Sequence, residues 1–171
     1  MTPRIRRINA DEGPRLRALR LHALAEAPMA CGSTLAHEQD FSDDVWRERA
    51  VGASTGCDRA TFIAERDTQW VGLVTGLAHN DPDNLGRLLV SMFVDRTARR
   101  AGVGVALVEA VLAWARACGA ARLTLWVTSG NDPAVALYQR CGFRQTGAIR
   151  PLPHTSTLAE CQMIRELGDR R

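Results

Sequence analysis

Apolar positions in this chain fall into helical, alternating and continuous stretches, and their order predicts a mixed α/β protein. Residues 4–9 alternate Ile5 and Ile8 imperfectly with arginines, which predicts a short edge strand. A helix is expected from about Glu12, with Pro14 in its first turn and Leu16, Leu19, His22 or Ala23, and Glu26 setting its register. Residues 27–41 show no clean period and carry Pro, Gly, Ser and Thr, so they read as a loop of the length that covers substrates. Ser42, followed by Asp43 and Asp44, caps a helix that holds Val45, Trp46 and Arg49.

The rhythm then changes. Residues 61–64 and 70–74 are β-rich runs joined by Arg66-Asp67-Thr68-Gln69, a hairpin signal. Asn80-Asp81-Pro82-Asp83-Asn84 predicts a turn before the nearly continuous apolar run 88–94. These three successive strands are expected to pair antiparallel. Residues 102–118 place Val103, Leu107, Val111 and Trp114 at helical spacing, and Gly119 stands where a helix end favours positive φ. Residues 122–128 form another buried-strand pattern, so strand, helix and strand predict a right-handed parallel crossover. Asn131-Asp132-Pro133 opens a helix over 134–141 closed by Gly142, and residues 143–148 and 158–167 read as the final strands.

Composition narrows the function classes. With 171 residues, 46% hydrophobic and 24% charged, one domain spanning 1–171 is expected, with a core large enough to need no disulfide or metal. The net charge of +3 is dispersed, and one Tyr and four Phe offer little stacking surface, so no nucleic-acid partner is expected. All 22 basic residues are arginines, which removes lysine Schiff-base chemistry. Cys31, Cys57, Cys118, Cys141 and Cys161 are odd in number, scattered and without metal-ligand spacing, the pattern of a reducing compartment. The arginine-rich start has no apolar stretch behind it, and Glu109 and Arg116 interrupt the most apolar segment, 103–117. No export signal, membrane span or bound metal is expected, and the expected location is cytoplasmic.

Chemistry concentrates in two places. Arg99-Arg100-Ala101-Gly102-Val103-Gly104-Val105 joins a buried strand to a long helix. Its glycines let helix-start N–H groups approach a phosphate, and the arginines add charge. The P-loop pattern fails for want of a lysine, and the dinucleotide fingerprint fails because Leu107 stands where its third small residue belongs. The second place is Asn131 followed by Leu137-Tyr138-x-x-x-Gly142-Phe143. Leu137 and Phe143 suit a core and Gly142 a helix end, whereas Tyr138 is a phenol able to protonate a leaving thiolate. Asn131 reads equally as a helix cap or a ligand contact.

Together these segments resemble the GNAT superfamily of acyl-CoA-dependent N-acyltransferases. Val94-x-x-x-x-Arg99-x-x-Gly102-x-Gly104 is similar to its V-x-P-x-x-[QR]-x-x-G-x-[GA] loop, with Arg96 in place of the proline. Asn131-x-x-Ala134-x-x-Leu137-Tyr138-x-x-x-Gly142-Phe143 matches its second motif, and the likeness extends over residues 4–167. Gly32-Ser33-Thr34 and Glu160-x-x-Met163 also look like features of a bacterial branch. The resemblance implies the GNAT fold: a mostly antiparallel sheet flanked by about four helices, whose parallel fourth and fifth strands splay apart. It also implies acetyl-CoA as cosubstrate, with main-chain groups of Met92, Phe93 and Val94 pairing with pantetheine. The pyrophosphate would rest on Arg100, Ala101, Gly102, Val103, Gly104 and Val105, with Arg99 and Asn131 alongside. Tyr138 would protonate the thiolate, and an N–H near Met92 or Phe93 would stabilise the oxyanion.

The acceptor is expected to be a primary amine, which must lose a proton before it attacks. Many relatives carry a glutamate on the fourth strand, and residues 88–94 contain no acid. Glu38, His79 and Glu160 are the candidate bases, and Ser91 a residue that orients water. Within residues 27–41, Ser33, Thr34, His37 and Glu38 are expected on the acceptor side. An acyl-CoA-binding sensor without turnover is the alternative, and a homodimer is left open.

Overall fold

The structure is a computed structural model that describes residues 2–79 and 85–168. Its strands are β1 (Arg4–Arg7), β2 (Arg59–Arg66), β3 (Gln69–Ala78), β4 (Gly86–Val94), β5 (Arg122–Thr128), β6 (Arg144–Leu152) and β7 (Thr155–Glu166). Its helices are α1 (Gly13–Glu26), α2 (Leu35–Gln39), α3 (Asp43–Ser54), α4 (Val103–Ala117) and α5 (Asp132–Arg140). The strands form one seven-stranded sheet in the order β1-β2-β3-β4-β5-β7-β6. β4 and β5 pair in parallel, while the remaining neighbours are antiparallel. The expected mixed sheet, edge strand, hairpin and parallel crossover are thus all present. The turn expected at residues 80–84 lies outside the described residues.

Both faces of the central strands are covered, which is why β2 and β3 read as continuous apolar runs. Ala60, Ala64 and Val74 pack with Leu107, Val108, Val111 and Leu112 of α4. On the other face Ile63, Leu73 and Phe93 pack with Leu16, Leu19 and Ala23 of α1 and Trp46 and Ala50 of α3. Trp114 lies so close to β3 that a Cβ on Gly76 would sit 2.5 Å from its ring. Gly76→Ala is therefore expected to destabilise the protein by about 1–3 kcal/mol, the usual scale of overpacking. An unchanged urea midpoint would show that the indole moves aside freely.

Three expectations need correction. Residues 27–41 are not a plain loop: a 3-10 turn, Pro28–Ala30, and α2 lie within them. Thr34 starts α2 by accepting from His37 N–H at 3.2 Å, a cap masked in the sequence by the helix's five-residue length. β6 and β7 run longer than expected and meet in a hairpin, so the supposed connection around residues 151–157 is mostly strand. Cys57 and Cys118 form a disulfide with a Cα separation of 5.6 Å, contrary to the reading of a uniformly reducing environment. They are 61 residues apart, and only the packing of α4 on β2 and β3 brings them together. Cys31, Cys141 and Cys161 are free thiols. Among the described residues no helix is long and apolar enough to cross a membrane.

Candidate active site

The sheet opens where β4 leaves β5. Their parallel ladder runs from Gly86↔Arg122 to Leu89↔Leu125 and goes no further. β5 continues with β7, through Trp126↔Gln162 to Thr128↔Glu160, so the two strands diverge around a wedge. The cause is local to β4: its register against β3 shifts between Leu73 and Thr75, and Ser91 has φ +57°. A left-handed residue in a strand makes a bulge that bends it, and a serine there carries strain. Residue patterns carry little sign of this.

The wedge is a cavity of 340 Å³, within the roughly 300–1,000 Å³ of small-molecule sites. Ser91 and Met92 form one wall, Trp126 to Thr128 the other, and Asn131, Leu137 and Tyr138 one end. Residues 30–33 also line it, and Thr128 Oγ1 donates to Met29 O at 2.9 Å, tying the 3-10 turn to β5 across the opening.

Beyond β4 the chain forms the expected helix-start loop. Asp95 replaces the stiffness that a proline would give at position 96: its Oδ1 accepts from Thr97 Oγ1 at 2.7 Å and Thr97 N–H at 2.9 Å. These bonds, first the hydroxyl and then the amide, pull its carboxyl down to about 2. The anchor is therefore intact above the ordinary carboxylate range and is lost only as pH falls toward 2. Arg100 and Gly102 have φ +61° and +76°, left-handed turns that carry the chain from β4 into the start of α4. The hydrogen-bond ladder of α4 begins with Ala106 N–H to Gly102 O, leaving the first-turn donors outside it. Arg99 does not extend toward this terminus as a free cation. Its Nε donates to Val94 O at 2.8 Å and its guanidinium pairs with Glu26, so it anchors the loop, while Arg100 is exposed.

Asn131 Oδ1 accepts from Ala134 N–H at 3.4 Å as the cap of α5, and the residue also lines the wedge. Tyr138 is 6% exposed and packs edge-on against Phe143. Burial, with a smaller effect from Cys141, raises its phenol well above the usual range and keeps it protonated.

The candidate bases separate. Glu38 is 3% exposed and held by Arg20 Nε at 3.1 Å, Arg20 Nη2 at 2.9 Å and Arg49 Nη1 at 3.3 Å. Burial alone would push its carboxyl up, but Arg20, Ser33 and Arg49 outweigh that and hold it below the ordinary value. It is a counter-ion fixing Arg20 rather than a poised base. His79 is exposed just past the end of β3 and does not line the wedge. Glu160 lines the wedge, is 5% exposed and pairs with Arg150 Nε at 2.8 Å, whose guanidinium lies 4.1 Å from the Trp126 ring centroid. Ser33 borders the wedge, while Thr34 and His37 do not.

Sequence reasoning missed Arg20, Arg49, Arg59, Trp126 and Arg150. Arg20 had a readable signal: it falls four residues after Leu16, on the face that α1 buries. Arg150 meets Glu160 through the β6–β7 register, and Arg49 of α3 meets Glu38 of α2; periodicity shows neither pairing.

Known proteins share this fold. Two solved structures cover nearly all of the chain. A GNAT-family acetyltransferase of Streptococcus pneumoniae superposes with a TM-score of 0.79 at 20% identity, covering 97% of this chain and 99% of its own. The structure of yncA from Salmonella typhimurium with its cofactor acetyl-CoA gives 0.78 at 17% identity, covering 100% and 97%. By sequence, the mycothiol acetyltransferase of Salinispora tropica is 34% identical over 86% of this chain and 46% of its own. Human N-acetyltransferase 8 is 38% identical over 50% of this chain and 39% of its own. The chain thus spans less than half the length of these two curated relatives. The Acetyltransferase (GNAT) family matches residues 21–143, a stretch that contains the bulged β4, the loop into α4 and all of α5. That match covers well over half of the chain, and the chain belongs to the GNAT acetyltransferase family.

Proposed function

We propose that the protein transfers acetyl from acetyl-CoA to a primary amine by direct attack in a ternary complex. The divergence of β4 and β5 beside the N-terminus of α4 carries this reading. It leaves one edge of residues 90–94 without a neighbouring strand, and an extended pantetheine can pair there as an added strand. The pyrophosphate then rests on the first-turn N–H groups of α4, and the thioester reaches the bulge at Ser91 and Met92. Attack by the amine gives a tetrahedral oxyanion, stabilised by a β4 N–H near Met92 or Phe93. Its collapse breaks the C–S bond, and Tyr138 gives its proton to the departing sulfur.

The amine's own proton goes to Glu160, which borders the same wedge and, among the described residues, has one ion-pair partner where Glu38 has two. Glu160→Gln is expected to lower kcat by about 10²-fold at neutral pH, with much of the loss recovered as rising pH deprotonates the amine in solution. A pH-independent loss would make Glu160 structural. The overall reading is tested by thiol release from acetyl-CoA across a panel of amines. Binding of acetyl-CoA without release for any amine would favour a coenzyme sensor instead.

A further inference from the structure

We propose that a second cavity, on the α1–α3 face of the sheet, is a carboxylate subsite, and that the acceptor is a small amine bearing a carboxylate, an amino acid or close analogue. This rests on the acetyl-transfer reading above.

The cavity has a volume of 200 Å³ and shares Arg20, Val90 and Ser91 with the wedge, so it meets the wedge at the bulge of β4. Its wall holds three guanidiniums, Arg20, Arg49 and Arg59, against the single carboxylate of Glu38. Glu38 is spent mainly on Arg20, with two bonds, and reaches Arg49 through one longer contact of 3.3 Å. The Arg59 side chain has no hydrogen-bond or ion-pair partner among the described residues. Burial and, after it, the neighbouring positive charge of Arg49 push its guanidinium down from the ordinary value.

Trp46 lines this cavity at 1% exposure, and the Arg49 guanidinium lies 5.0 Å from its ring centroid, which holds that cation at the wall. Two guanidiniums form a donor set that suits a planar, two-oxygen acceptor, since arginine forks match carboxylates bidentately. The volume is below the roughly 300–1,000 Å³ of sites for drug-sized ligands, which selects a small molecule. An amino acid bound by its carboxylate at Arg49 and Arg59 directs its amine toward Ser91, where the thioester carbon is expected.

The test compares amino acids with their carboxamides, with simple alkylamines and with ethanolamine phosphate, by initial rates of thiol release from acetyl-CoA. In parallel, N-acetylated amino acids and their amides are titrated calorimetrically into the protein saturated with CoA. The expected result is a kcat/KM for carboxylates at least about 10-fold above that for amides. Arg59→Gln should remove that preference through a KM raised about 10–100-fold, the scale of a lost charge-assisted hydrogen bond. Arg59→Lys should restore part of it, and circular dichroism checks the fold of each variant. Equal rates for acids and amides, a preference for the phosphate, or discrimination that survives Arg59→Gln overturns the subsite. If no amine is turned over, the acetyl-transfer reading fails, and the calorimetric preference for carboxylates still decides the subsite alone.

Discussion

Gly104→Glu is expected to abolish the stabilisation of the protein by acetyl-CoA. Gly104 lies in the first turn of α4, and a Cβ there would stand 3.1 Å from Leu137 and 3.5 Å from Met92, both of which line the wedge. A glutamate adds bulk beside the proposed coenzyme path and a negative charge at the donors that would hold pyrophosphate. A ligand at 100 times its Kd stabilises a folded protein by about 2.7 kcal/mol, so the parent should show a clear thermal shift and the variant none. Gly104→Gln separates the two causes, because it keeps the bulk of glutamate and omits the charge. Equal shifts for the glutamate variant and the parent would remove this loop from the coenzyme site.

Tyr138→Phe should lower kcat by about 10²-fold while leaving acetyl-CoA affinity nearly intact. The ring is held by α5 and by Phe143, so phenylalanine keeps the packing and deletes only the hydroxyl. Burial keeps that hydroxyl protonated through neutral pH, so the parent's rate should show no loss from phenol ionisation in that range. The rate must be read where chemistry limits turnover, with a poor acceptor or in single-turnover form. Unchanged turnover under those conditions would leave the thiolate to be protonated by water.

What could be read from residues alone was local. Ser42, Pro14 and Gly119 mark helix ends through their own backbone and side-chain preferences, and Asp67 and Thr68 turn the β2–β3 hairpin with φ +49° and +70°. Asn131 and Tyr138 were visible because the resemblance ties them to one short helix. Glu38 and Arg99 show the limit. Each has a residue type suited to chemistry, and each is occupied by a partner far along the chain: Arg20 for Glu38, Glu26 for Arg99. The bulge at Ser91 was equally hidden, since its conformation comes from the mismatch between β3 and β4 and not from any preference of serine.

The short ladder between β4 and β5 has a consequence for how the molecule comes apart. Among the described residues, backbone pairing between the sheet's β1–β4 block and its β5–β7 block is confined to residues 85–89 and 121–125. A molecule lying along β4 while touching Asn131 and Tyr138 would span both blocks and supply cross-links where the chain has left a gap. Cosubstrate would then serve as a removable rung, making the two blocks unfold as one unit when it is bound and loosening their cooperativity when it leaves.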